Sequence, residues 1–149
     1  MPEDWSPNDE SDVADVGGID TDVLERIGQR LEGSDRFSTV VFQPDYAPSS
    51  VVADYDVGYF PSAVERAYLR IRWYETDDFN VHYSEQYVDG DHWEWRWDRH
   101  PNDHNARSHF HPPPDAAKPG DDAAYARDWR DVLSHVLGDL DDRIKAFWE

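Results

Sequence analysis

The sequence predicts an α+β fold: an antiparallel sheet of about five strands, with an N-terminal and a C-terminal helix packed on one of its faces. Three observations predict it. Apolar and polar residues alternate through three consecutive segments between Leu69 and Asp98. A segment with helical spacing of apolar residues stands on either side of that region. The chain has 149 residues, enough for one domain with a core of its own.

The elements follow in chain order. Residues 1–18 are acidic, contain prolines and end in Gly17-Gly18, the pattern of a solvated, disordered tail. Residues 19–149 then read as one α+β domain. Asp20 and Thr21 offer caps for a helix over 21–32, with Val23, Leu24, Ile27 and Leu31 at helical spacing, and Gly33 stops it. FSTVVFQ (37–43) and VVADYDV (51–57) read as strands joined by a loop with Pro44 and Pro48. Ser62 and Glu65 have capping-box spacing, which opens one helical turn.

The period then switches to two. Leu69, Ile71 and Trp73 alternate with Arg70 and Arg72. Phe79, Val81 and Tyr83 alternate with Asn80, His82 and Ser84, and Trp93, Trp95 and Trp97 alternate with His92, Glu94, Arg96 and Asp98. These are three antiparallel strands with one apolar and one polar face. Residues 99–120 have no period, hold five prolines and read as a long His-rich loop, a length that usually signals function or disorder. A last helix, about 129–148, carries Val132, Val136, Leu140, Ile144 and Phe147 on one stripe, with Arg143 and Lys145 suited to its C-terminal end.

Residues opposite one another on neighbouring strands share a face, so parity tests the register. A two-residue turn at Asp89-Gly90 pairs Val81 with Asp98 and mixes the faces. A three-residue loop from Asp89 to Asp91 keeps the tryptophans with apolar partners, pairing Tyr83 with Trp97 and His82 with Asp98. Trp73 then lies opposite Phe79, and Arg70 opposite His82. The polar face shows Arg70, His82 and Asp98 in one row, with Ser84 and Arg96 as a neighbouring pair.

Composition narrows the setting. The net charge is −19, with 24 Asp against 9 Glu and 12 Arg against 2 Lys. Short-stemmed carboxylates with few apolar lysine stems keep a surface hydrated in strong salt, where the Debye length falls to about 3 Å and self-repulsion is screened. The bias reads as adaptation to high salt. Without cysteine there are no disulfides, thiolate metal sites or cysteine nucleophiles. No apolar run reaches membrane-spanning length, and MPEDWSPNDE has no signal-peptide core, so a cytoplasmic protein is expected.

One segment departs from the acidic background. Residues 96–111 hold four of the seven histidines, and Arg96, Arg99 and Arg107 against Asp98 and Asp103 give a formal charge of +1. Three readings compete. His100-x3-His104-x4-His109-x-His111 could present imidazoles to a metal, since His-x-His on an extended segment places both rings on one side, although it fits no fixed motif. The same residues suit metal-free acid–base chemistry on a phosphodiester, one His taking a proton, another giving one, and Arg stabilising charge at phosphorus. Or the histidines tie down the loop by hydrogen bonds.

The stretch FNVHYSEQYVDGDHWEWRWDRHPNDHNARSHFHPPPD (79–115) resembles the core of the TumE family, toxins of two-gene toxin–antitoxin systems. The likeness covers residues 68–115 and has the look of a haloarchaeal member. It lies in Tyr83 and Tyr87 of a Tyr-rich hairpin, in Trp95-Arg96-Trp97-Asp98, in His100 and His104, and in the cluster at His109 and His111. The resemblance implies growth inhibition by RNA cleavage, neutralised by a cognate helix-turn-helix antitoxin. On that view His82 or His100 is the base, His109 or His111 the acid, and His104 belongs to the same loop. Arg70, Arg96, Arg99 and Arg107 bind phosphate, and Asp98 orients a histidine. No cofactor and no membrane are expected, and a homodimer is compatible. The rivals are a His-cluster metal-binding hydrolase and a non-enzymatic partner-binding module. A chain at −19 cannot rely on counterion release to hold RNA in strong salt, so arginine forks and base stacking would have to carry the binding.

Overall fold

A computed structural model describes residues 17–100, 108–116 and 121–149. Helix α1 (Thr21–Glu32) begins at Asp20, whose side chain accepts from the Val23 N–H, as the capping pattern predicts. Seven strands follow: β1 (Phe37–Gln43), β2 (Ser50–Tyr55), β3 (Val64–Trp73), β4 (Phe79–Tyr87), β5 (His92–Arg99), β6 (Ser108–His111) and the two-residue β7 (Asp121–Asp122). Helix α2 (Trp129–Ala146) closes the described chain, capped by Asp128. The strands form one antiparallel sheet in sequence order, so each is hydrogen-bonded to the next.

Both helices cover the same face. Leu24, Ile27 and Leu31 of α1, and Val132, Val136, Leu140 and Ile144 of α2, join Val51, Leu69, Ile71, Trp73, Val81, Tyr83 and Trp97 in one core. Helix α1 approaches β1 closely at Gly28, where an added Cβ would meet the Phe42 ring at 2.7 Å. The alternation in β3, β4 and β5 leaves Arg70, Arg72, Asn80, His82, Arg96 and Asp98 on the other face. Among the described residues, no helix is long and apolar enough to cross a membrane.

Four details differ from the sequence reading. The helical turn expected at Ser62–Glu65 does not form: Val64 N–H donates to the Pro61 carbonyl in a single tight turn and β3 begins at Val64, because Val88 donates to the Ala63 carbonyl and carries the hairpin pairing back that far. The β4–β5 hairpin closes on Val88-Asp89-Gly90. Gly90 takes φ +95°, Gly90 N–H donates to Tyr87, and Tyr87 N–H donates to Asp91, the three-residue loop that needs a left-handed residue. Relative to the expected loop the register moves by two residues, so faces are kept and partners change. Tyr83 pairs with Trp95, His82 with Arg96, Ser84 with Glu94 and Asn80 with Asp98. Trp73–Phe79 and Arg70–His82 pair as expected. Last, the stretch read as a loop supplies a strand, since Ser108–His111 pairs with β5. The expected N-terminal tail lies almost wholly outside the described residues, while Gly18 accepts from Glu75 N–H and Ile19 bridges Tyr74.

Candidate functional site

The polar face gathers side chains from four adjacent strands. Register places Arg70 (β3), His82 (β4), Arg96 (β5) and His111 (β6) in one row, with Asn80, Asp98 and His109 in the next. Neighbouring strands run about 4.8 Å apart, so His82 and His111, two strands apart, are separated by roughly 10 Å at the backbone with Arg96 between them. His82, Arg96, Asp98, His109 and His111 are all buried. Pairing of β6 with β5 brings His109 and His111 here: a four-residue strand turns alternate side chains to one side, and Phe110 goes to the other, near Trp95.

Each flanking histidine is held by a carboxylate. His111 Nε2 lies 2.9 Å from Asp98 Oδ2, and the Asn80 amide donates to Asp98 Oδ1. His82 Nε2 lies 2.9 Å from Glu94 Oε1, while His92 Nε2 approaches Glu94 Oε2 at 3.2 Å. Burial works to raise the Asp98 carboxyl, but the His111 hydrogen bond and the Arg96 charge outweigh it and hold the group below the usual carboxylate range. The His82 hydrogen bond likewise holds Glu94 low, against partial burial.

The remaining expected residues are distributed as follows. His100 follows β5 directly, its ring 5.0 Å from that of His109. Arg99 has the parity of the tryptophans and sits on the helix face. Its guanidinium donates to main-chain carbonyls of Asp77, Tyr125, Ala126 and Arg127, so it ties two segments together and does not join the row. His104 and Arg107 lie outside the described residues. Glu94 was read only as a polar-face residue, although its place beside His82 on a neighbouring strand follows from the corrected register.

Beside the row, on the β3–β5 side, opens a cavity of about 660 Å³ lined by Arg66, Tyr68, Arg70, His82, Ser84 and Glu94 among others. The Arg66 guanidinium lies over the Tyr68 ring at 4.1 Å and is fixed by a two-point bond to Asp54. A cavity of this size suits a small ligand or one segment of a larger one.

The likeness noted in the hairpin and histidine cluster extends much further. A family model described as Toxin TumE matches residues 24–144, from α1 to the last turns of α2. The chain belongs to the TumE toxin family. It is accordingly the toxin of a toxin–antitoxin system, and an antitoxin is implied as its partner. The match takes in every strand of the described sheet together with most of both helices. No curated protein and no solved structure matches the chain.

Proposed function

We propose that this toxin is a metal-independent endoribonuclease, adapted to strong salt, that cleaves RNA by histidine acid–base chemistry. The observation that carries the reading is the row His82–Arg96–His111, in which two carboxylate-held imidazoles flank one guanidinium. In it, His82 accepts the proton of a ribose 2′-hydroxyl, whose oxygen attacks the adjacent phosphorus. His111 gives a proton to the departing 5′-oxygen. The products are a 2′,3′-cyclic phosphate and a 5′-hydroxyl end. Arg96, between the two rings, and Arg70 at the end of the row face the charge that develops on the phosphoryl oxygens. His111 is oriented by the buried Asp98 carboxylate, and we assign it the acid role. Glu94 is partly exposed and shared with His92, which leaves His82 to the base role. His100 and His109 complete the histidine cluster around Asp98, and His104 and Arg107 are assigned to the same site on sequence grounds alone.

The test is cleavage of a defined RNA by purified toxin in molar salt, with and without a chelator. The expected result is chelator-resistant cleavage leaving 5′-hydroxyl ends, lost on His111→Ala and on Arg96→Ala. Ends bearing 5′-phosphate, or cleavage abolished by the chelator, would overturn the proposed chemistry. The antitoxin is proposed to carry a helix-turn-helix domain, which the neighbouring gene would reveal.

A further inference from the structure

We propose that Asp98, His109 and His111 form a binding site for one divalent transition-metal ion. Asp98 and His109 are direct partners across β5 and β6, and His111 is two residues further on the same side of β6. One ligand atom from each lies within 4.8 Å of the other two, and all three residues are buried. The closest pair, His111 Nε2 and Asp98 Oδ2, stands at 2.9 Å. Two ligands each about 2.1 Å from a shared ion are about 3.0 Å apart at a right angle and about 3.4 Å apart at the tetrahedral angle. That pair is therefore already at chelating distance, and a ring movement of at most about 1.4 Å at His109 closes the triangle.

The supports are those a metal ligand needs. The Asn80 amide donates to Asp98 Oδ1, fixing the carboxylate with Oδ2 towards the imidazoles. The Tyr125 hydroxyl donates to the His109 carbonyl, which pins the short strand that carries both rings. Two imidazoles and one carboxylate without a thiolate suit Zn²⁺, Co²⁺, Ni²⁺, Mn²⁺ or Fe²⁺, and not the all-oxygen preference of Ca²⁺ or Mg²⁺. Arg96 stands beside the cluster on the same face and sets the affinity below that of a site with only anionic neighbours.

Binding rests on these distances alone. Its consequence for cleavage rests on the ribonuclease reading: an ion held by His111 and Asp98 ties up the imidazole that serves the leaving oxygen, so metal silences the toxin.

The experiment uses the full chain, stripped of metal and titrated with Co²⁺, followed by visible absorption and by calorimetry. One equivalent should bind with the absorption bands of a nitrogen–oxygen site, and Zn²⁺ should displace it. His109→Ala and Asp98→Asn should each weaken binding at least about tenfold, while His135→Ala, exposed on α2, should not. Zn²⁺ should raise the melting temperature of the parent and not of the folded variants, and His109→Ala carries the test if Asp98→Asn does not fold. No saturable binding, or binding equal in both variants and the parent, overturns the site. A second arm measures RNA cleavage by the stripped chain as Zn²⁺ is added. Inhibition that tracks saturation supports the proposal, and saturation without effect on active toxin overturns the placement at His111. Stimulation leaves the site standing and sinks the metal-free mechanism instead, so the two ideas fail separately.

Discussion

Glu85 and Asp98 are both fully enclosed carboxylates on neighbouring strands of one sheet, yet they sit on opposite faces among partners of different chemistry. Glu85, on the helix face, takes Arg143 of α2 on both oxygens at 2.9 and 2.7 Å, and the Tyr83 and Tyr87 hydroxyls at 2.6 Å each. Arg143 is in turn stacked over Trp93, 3.6 Å from the ring centre. Every partner there keeps its charge state at neutral pH, and the group fastens α2 to β4. Asp98 is held by His111 and Asn80, with Arg96 nearby. Its partners include an imidazole, a type of side chain suited to proton exchange and to metal ligation. A buried charge therefore does not identify a functional site by itself; the identity of the groups that offset it does.

The sharpest way to break this comparison is to remove a ring from one region and the cation from the other. His111→Ala, or His82→Ala, should lower RNA cleavage by about 10²–10⁴-fold and relieve growth arrest, with a folded chain by circular dichroism. If both variants stay fully toxic, the polar face is not the active region. Arg143→Met should do the opposite. It leaves Glu85 buried without its cation and should cost about 3–5 kcal/mol in urea unfolding, without touching the polar face. Equal losses of activity and stability in both variants would erase the distinction.

How much of this was legible in sequence depended on which signal carried it. Parity sorted the faces correctly, because apolar alternation in β3, β4 and β5 tolerates no odd slip, and it paired Arg70 with His82. It could not fix the register, which depends on which three residues close the hairpin, and Gly90 at the last loop position moved every β4–β5 partner by two. Asp98 thus left the expected row and Arg96 entered it. Ser108–His111 gave no strand signal, since four residues with two histidines on one side become a strand only when β5 offers its edge. Glu85 was missed although its parity with Phe79, Val81 and Tyr83 marked a charge at an apolar position, and Arg99 carried the same mark beside Trp93, Trp95 and Trp97.

The two regions should also limit stability at opposite ends of the pH scale. Burial, and then the hydrogen bond to Glu85, push the Tyr87 hydroxyl up from 10.0 to about 12. A raised folded-state value contributes stability that is present below the unfolded value and is lost as pH rises through the folded one. The helix face should therefore set an alkaline limit, with stability falling between pH 10 and about 12. Glu94 is held below its ordinary 4.5, first by its hydrogen bond to His82. Its contribution is present above that value and is lost as pH falls below it, so the polar face should set an acid limit. Thermal melts across pH would check both ends. In Tyr87→Phe the alkaline fall should weaken and the acid fall should stay; Glu94→Gln should reverse that pattern.

The finest version of the comparison lies within β5 itself, where Arg96 and Arg99 are three residues apart and face opposite ways. Arg99 spends its guanidinium on main-chain carbonyls from two segments, at 2.6 to 3.3 Å. A lysine there supplies three donors without the planar fork, so Arg99→Lys should cost about 1–2 kcal/mol in unfolding and leave cleavage per folded molecule unchanged. Arg96→Lys keeps the charge between His82 and His111 but loses the planar fork that the proposed chemistry needs for two phosphoryl oxygens. It should lower the cleavage rate constant more than it lowers the melting temperature. Both variants are cationic and both sites are buried, so composition and burial cannot explain a difference between them. If the two behave alike, the sheet's two faces are not divided between structure and chemistry.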